Sequence, residues 1–205
     1  LAAAALVVPA AQAPARRPAP PASRVLPGPA GNATRLHNGW KLTPVGKSAR
    51  TQDMLLGCAL SPDGATLAMT ACGAGTHTVY LLDPSSGAIR QSIPVGRAWN
   101  GLAWSPDGTT LYVSGGTSNR IHRLQRQADG SMAAGDPISL GDGPRTGRRA
   151  PAPWLAGLAL SRDGKTLYAA VCGTDTVLAL SLPDGAEKAR WEANDGARPY
   201  CLRFS

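Results

Sequence analysis

The chain has 205 residues, with 21 Lys and Arg against 13 Asp and Glu for a formal charge of +8, 24 Gly, 18 Pro and a single Phe. The excess base is scattered over loops and strand ends, and no row of aromatic residues accompanies it, so no nucleic-acid partner is expected. No apolar run approaches the roughly 20 residues that a membrane-spanning helix needs, so no transmembrane anchor is expected either.

The first residues, Leu1 to Val8, form a short apolar run, and Ala11-Gln12-Ala13 fits the small-x-small pattern of a leader cleavage site. Residues 1–13 are therefore read as the remnant of a secretory signal, which predicts an exported protein, periplasmic or extracellular. Residues 14–38 are rich in Pro and Ala and are expected to be a disordered linker.

From residue 39 onward the chain is organised by a repeat. Ser61-Pro62-Asp63-Gly64 returns as Ser105-Pro106-Asp107-Gly108 and as Ser161-Arg162-Asp163-Gly164, and Ser205 stands where a fourth copy would start. From Ser61 to Ser105 is 44 residues, from Ser105 to Ser161 is 56, and from Ser161 to Ser205 is 44. A period of roughly 40–50 residues marks a propeller or solenoid. The repeated tetrapeptide is hairpin chemistry, in which Gly takes the left-handed position. Short apolar or alternating runs flank it, as in Gly101-Leu102-Ala103-Trp104 and Thr110-Leu111-Tyr112-Val113. A third run (His77 to Leu82, Arg120 to Leu124, Thr176 to Leu180) and a weaker fourth one (Ala88 to Ile93, Glu187 to Trp191) complete the unit.

The fold class is thus all-β, a β-propeller of four-stranded blades. About three complete blades (55–98, 99–153, 155–198) and the start of a fourth (199–205) are expected within 39–205. An open stack leaves bare strand edges, so further blades, about seven in all, are expected in the whole protein. The second unit carries its extra length within Gln125 to Pro153, whose Gly, Pro, Asp and Arg suit a surface loop. Gly57, Gly101 and Gly157 each stand four residues before the shared Ser, and Cys201 takes that place in the fourth copy. Such a Gly marks either a close approach of two backbones or a bulge.

The reactive residues form no catalytic constellation. Asp63, Asp107 and Asp163 are committed to turns, as are Asp83 and Asp184, while Glu187 and Glu192 lie in or near an outer strand. Asp53 and Asp195 precede inner strands and could reach the channel mouth, although a solvated loop role is favoured. His37, His77 and His122 are read as structural. Cys72 and Cys172 share one offset in non-adjacent blades, too far apart to bridge, and Cys58 and Cys201 lie near the starts of inner strands. Mostly buried free thiols are expected, with room for one disulfide. No C-x-x-C or Cys/His cluster suggests a metal, no haem-attachment motif occurs, and no cofactor is identified. The best binding candidates are the connections that enter the inner strands, because these ring the central channel. They carry Arg97, Trp99 and Asn100 before the second blade, Trp154 before the third, and Arg198 and Tyr200 before the fourth. Arg and aromatic side chains are good anchors, with packing between blades as the alternative role of Trp99, Trp154 and Tyr200.

Leu102-Ala103-Trp104-Ser105-Pro106-Asp107-Gly108-Thr109-Thr110-Leu111-Tyr112-Val113-Ser114 resembles the repeat of bacterial YVTN-type propellers of the lactonase-like group, as does Leu158 to Ala169. The likeness covers about residues 39–205. Asn38 to Gly46, Arg97 to Ala103 and Ser114 to Ile121 are similar to exported proteins in which such a propeller precedes an alkaline-phosphatase-like phosphoesterase domain. Cys72, Cys172 and Arg162 depart from that pattern. The resemblance implies an exported binding or scaffold module, with an intramolecular phosphoesterase domain in the full-length protein. Two alternatives stand beside it: a lactonase-like enzyme whose site is completed by further blades, and a propeller subunit for a redox partner.

Overall fold

The structure is a computed structural model that describes residues 26–43, 45, 49, 51, 54–141, 153–194 and 196–204. The chain divides into two compact units, Leu1–Gly46 and Lys47–Ser205.

In the first unit, β1 (Gly28–Ala30), β2 (Ala33–Arg35) and β3 (Lys41–Leu42) form a three-stranded antiparallel sheet. This corrects the linker expected up to residue 38. Ala30 pairs with Ala33 across the two-residue loop Gly31-Asn32, and Gly31 takes a φ of +67°. A positive φ at the first loop position is what a tight hairpin demands, and Gly supplies it without steric cost. The Pro-rich composition around this short signal concealed it.

The second unit consists of three successive antiparallel sheets. β4 (Leu55–Leu60), β5 (Leu67–Ala71), β6 (Thr78–Leu82) and β7 (Ile89–Pro94) make the first blade. The second has β8 (Leu102–Trp104), β9 (Thr110–Ser114) and β10 (Arg120–Arg126), with its outer edge split into β11 (Met132–Ala134) and β12 (Ile138–Ser139), both paired to β10. The third has β13 (Leu155–Leu160), β14 (Thr166–Val171), β15 (Thr176–Ser181) and β16 (Glu187–Glu192), with a short 3-10 turn at Cys172–Thr174. Part of the stretch expected as a surface loop, Gln125 to Pro153, is therefore the outer strand of blade 2. Met132 and Ile138 are both buried, which is the physical reason this segment does not leave the sheet. Residues 199–204 carry no strand pairing.

Each Ser-x-Asp-Gly turn is closed identically. In blade 2, Ser105 Oγ donates to Asp107 Oδ1 (2.5 Å) and accepts from the Thr110 amide (2.9 Å), while Asp107 Oδ1 accepts from the Thr109 amide (3.0 Å). Ser61 with Asp63 and Ser161 with Asp163 repeat the arrangement. The hydroxyl and the carboxylate thus satisfy the backbone donors that a reversing chain leaves bare.

The core lies between blades. One apolar cluster joins Val79, Leu81 and Ile93 of blade 1 to Leu111, Val113 and Leu124 of blade 2, and a second joins Ile121 and Ile138 of blade 2 to Leu167, Leu178 and Leu180 of blade 3. Polar bolts cross the same seams. Trp104 Nε1 donates to the Ala59 carbonyl (3.2 Å), and Arg123, held within blade 2 by the Asp136 carbonyl (2.6 Å), donates across the next seam to the Pro183 carbonyl (3.1 Å). The Gln91 amide both donates to and accepts from the Met132 backbone (2.7 and 2.9 Å).

The three inner-strand glycines have one explanation. A Cβ on Gly57 would lie 2.2 Å from the Asn100 carbonyl oxygen, on Gly101 2.2 Å from that of Ala156, and on Gly157 2.7 Å from that of Tyr200. Close approach is thus the cause in all three. The register also shifts between Leu55 and Gly57 and between Leu155 and Leu158, so irregular pairing accompanies the approach in blades 1 and 3.

Candidate functional site

The candidate site lies on the face formed by the connections between blades and the loops joining the second and third strands of each blade. The connection from blade 1 to blade 2, residues 95–101, is fixed by bonds at nearly every step. The Val95 amide donates to the His77 carbonyl (2.8 Å), the Ala98 amide to His77 Nδ1 (2.8 Å), and the Trp99 amide to the Ser114 carbonyl (2.7 Å). From the next blade, His122 Nε2 donates to the Arg97 carbonyl (2.5 Å). Burial pushes the His122 imidazole below its usual range, the bond to the Arg97 carbonyl raises it in part, and the Arg120 charge lowers it further.

This path places Arg97, Trp99 and Trp154 around one cleft of about 140 Å³, together with Cys72, His77, Gly115, Gly116 and Thr117. The Trp99 and Trp154 rings meet edge to face, with centroids 4.9 Å apart and planes at 71°. Gly116, at a φ of +54°, lets the turn of blade 2 come against Trp99, since a Cβ there would lie 3.4 Å from the Trp99 Cβ. Arg97 is exposed, and among the described residues its guanidinium meets no carboxylate. Trp99 Nε1 is buried with no acceptor. The cleft therefore presents a cation beside an aromatic wall.

The other three candidates stand apart from this cleft. The side chain of Asn100 reaches toward Cys201, with its Nδ2 3.9 Å from Sγ and its Oδ1 buried without a donor. Arg198 adopts a φ of +45°, and its amide donates to Asp175 Oδ1 (2.6 Å). Tyr200 presses its carbonyl against Gly157. Asp53 and Asp195 lie outside the described residues. None of the four cysteines is in a disulfide; Cys72 is buried, but Cys58 and Cys201 are exposed, which corrects the expectation of mostly buried thiols.

Two residues build this face beyond the binding candidates: His77, read from the sequence as structural with no contact assigned to it, and Asp175, which sequence reasoning missed. His77 holds the connection that carries Arg97 and Trp99. Asp175, itself at a φ of +53°, does the same for the connection after blade 3, accepting from the amides of Gly196 (3.0 Å) and Arg198 (2.6 Å). Asp175 and Asn119 both stand fourteen residues after the shared Ser and both have positive φ, a periodicity that could have drawn notice. A larger cleft of about 540 Å³ opens between the outer parts of blades 1 and 2 and contains Arg90 and Arg126. Arg90 is already paired with Asp83 there.

The family described as the SMP-30/Gluconolactonase/LRE-like region matches residues 59–204, and the chain belongs to it. The fold and the family together define a lactonase-like β-propeller. Among solved structures, the chain is similar to a luciferin-regenerating enzyme (19% identity, 72% of this chain and 48% of that one, TM-score 0.56). It is also similar to regucalcin, a calcium-binding protein of Agrobacterium tumefaciens (22%, 72% and 48%, 0.54), and to a protein from Lactobacillus plantarum (20%, 76% and 48%, 0.53). The chain spans less than half the length of each of these proteins. No curated protein matches the sequence. Among the described residues no helix is long and apolar enough to cross a membrane.

Proposed function

We propose that this chain forms a ligand-binding sector of a lactonase-like propeller, and that the cleft at Arg97, Trp99 and Trp154 takes a small anionic ligand with a ring-shaped or apolar body. The observation that carries this reading is the convergence of those three side chains on one concave site. A few polar groups set against aromatic walls are what small-molecule sites share. Calorimetric titration with a panel of aldonates and aromatic carboxylates tests it. Arg97→Ala should weaken the best ligand by about tenfold or more, the size of a lost charge-assisted bond. Unchanged affinity in Arg97→Ala and in Trp154→Ala would remove the cleft from consideration.

A second reading, favoured by the family match, is a lactonase whose site is completed by further blades. A hydroxy-acid product would suit the cation at Arg97. One of the similar proteins is described as calcium-binding. Calcium takes six to eight oxygen ligands, carboxylates prominent among them. Among the described residues no three His, Cys, Asp or Glu side chains stand together. This donor set does not fit the ion. Lactone hydrolysis by the full-length propeller would favour this reading over simple binding.

The placement of the module is a further part of the proposal. The Ser-Pro-Asp-Gly blades support a bacterial YVTN-type propeller, the leader-like residues 1–13 support export, and the segments around Asn38 to Gly46 and Arg97 to Ala103 support a scaffold role ahead of a phosphoesterase domain. Reading the gene beyond Ser205 tests the last point directly.

A further inference from the structure

We propose that the cleft at Arg97, Trp99 and Trp154 selects single-ring aromatic carboxylates and rejects polyhydroxylated acids. This names a ligand class for the binding function proposed above and rests on it.

The selection follows from how few hydrogen-bond acceptors the cleft has left. A polyhydroxylated acid brings several O–H donors, and each one buried without an acceptor loses the bonds it made to water. A site for such a ligand needs carboxylates, carboxamides or open carbonyls. Among the described residues that line this cleft there is no Asp, Glu, Asn or Gln. The backbone does not replace them, because most of its carbonyls are already in use. The His77 carbonyl accepts from the Val95 amide (2.8 Å), that of Arg97 from His122 Nε2 (2.5 Å), and that of Trp99 from the Cys72 thiol (3.8 Å). The Gly115 carbonyl accepts from the Ser118 amide (3.1 Å) and hydroxyl (2.8 Å). The Gly116 carbonyl accepts from the amides of Asn119 (3.3 Å) and Leu155 (3.1 Å), and that of Trp154 from the Cys172 amide (2.8 Å). His77 is itself buried, with its Nδ1 against the Ala98 peptide. Thr117 brings the one side-chain oxygen among the described lining residues.

Charge and apolar surface are what remain. Arg97 is exposed and is the counter-charge for an anion. The Trp99 and Trp154 centroids, 4.9 Å apart, leave no slot between the two rings. A ligand ring therefore adds to the outside of the pair, where Trp154 is 37% exposed. Offset and edge-to-face contacts between rings add to the gain from burial alone. The volume of about 140 Å³ suits one such ring, since an apolar cavity of about 150 Å³ holds benzene.

NMR titration of the chain with benzoate, gluconate, cyclohexanecarboxylate and benzamide, followed on the Trp154 indole, tests the assignment. Benzoate should bind about tenfold more tightly than gluconate, the equivalent of one unmet hydrogen bond. Cyclohexanecarboxylate keeps the charge and the approximate size but lacks the aromatic face, and should bind about fivefold more weakly than benzoate. Benzamide keeps the ring without the charge and should bind about tenfold more weakly. Trp154→Leu retains an apolar wall, so it should remove the preference for benzoate over cyclohexanecarboxylate and leave gluconate unchanged. A preference that survives Trp154→Leu overturns the proposal. So does gluconate, cyclohexanecarboxylate or benzamide binding as tightly as benzoate, and in the first two cases the anion-binding reading still stands. If Trp154→Leu does not fold, the ranking in the wild type decides alone. If none of the three anions binds, the binding reading fails and the ligand class falls with it.

Discussion

At the scale of single residues, the positions that matter most here are the ones with least to offer chemically. Gly57, Gly101 and Gly157 accept the carbonyl of the next inner strand where a methyl group would stand. None of the three has a positive φ, so the constraint is space alone. Gly101→Ala is therefore expected to cost about 1–3 kcal/mol through overpacking, measured by urea unfolding, and a neutral substitution would contradict the close approach. The turn residues show a different behaviour. Asp107 is held at about 2 by the Ser105 hydroxyl first and then by the Thr109 amide and hydroxyl. Asp63 and Asp163 are lowered by the same kinds of bond, from Ser61 and Ser161 first. Because folding lowers these values, the stability they lend is complete above about pH 4. It is lost as pH falls through the folded values. Thermal melts between pH 5 and pH 2 should show this decline, and the triple Asn variant should show less of it.

At the scale of elements, the connections between blades are scaffolded by the loops beside them. Asp175 accepts two amides from the strand-free segment after β16, and His77 secures the corresponding segment after β7. Asp175→Ala should release residues 193–198, seen as lost amide protection there, with a stability cost of about 2 kcal/mol for bonds to a charged acceptor. Protection unchanged at Arg198 would deny Asp175 this role. These pairings explain what could be read from the sequence and what could not. The strands of blades 1 and 3 and the inner part of blade 2 follow from alternation and a repeated turn, both local signals. The strands β11 and β12 sit among Gly, Asp and Pro, where composition argues for loops and the burial of Met132 and Ile138 reveals a strand, while β1 and β2 rest on the short Gly31-Asn32 turn within a Pro-rich stretch. The candidate site divides in the same way. Arg97, Trp99 and Trp154 are legible as Arg and aromatic residues on connections between blades. The roles of His77 and Asp175 depend on contacts with backbone some twenty residues away, which carries no pattern of side chains to recognise.

At the scale of the whole second unit, the blades behave as a stack in which each face is covered by its neighbour. Trp104 and Leu160 lie against the preceding blade, within or packed against the apolar clusters at those seams. Leu60, at the same place in the repeat, is 55% exposed. At the other end, Tyr168 carries the rings of Trp191 and Phe204, both about half exposed. The apolar area buried per blade is thus unequal, with blade 2 flanked on both sides. Stability in such arrays is approximately a sum of unit and nearest-neighbour contributions, so hydrogen exchange is expected to be slowest in β9 and β10 and faster in β4 and β16. Uniform exchange across the three blades would contradict a stack of separable units.

The Gln91 side chain has a consequence at the outer end of the seam between blades 1 and 2. Its amide gives one hydrogen bond to the Met132 backbone and takes one back, as a peptide group in a neighbouring strand would. The outer strands β7 and β11 are thereby joined by a counterfeit rung, a single residue imitating ladder pairing between sheets that share no strand. Fraying that begins at the rim of blade 1 has to break this rung before it can separate the rims, so the two blades are tied at their periphery as well as at their core.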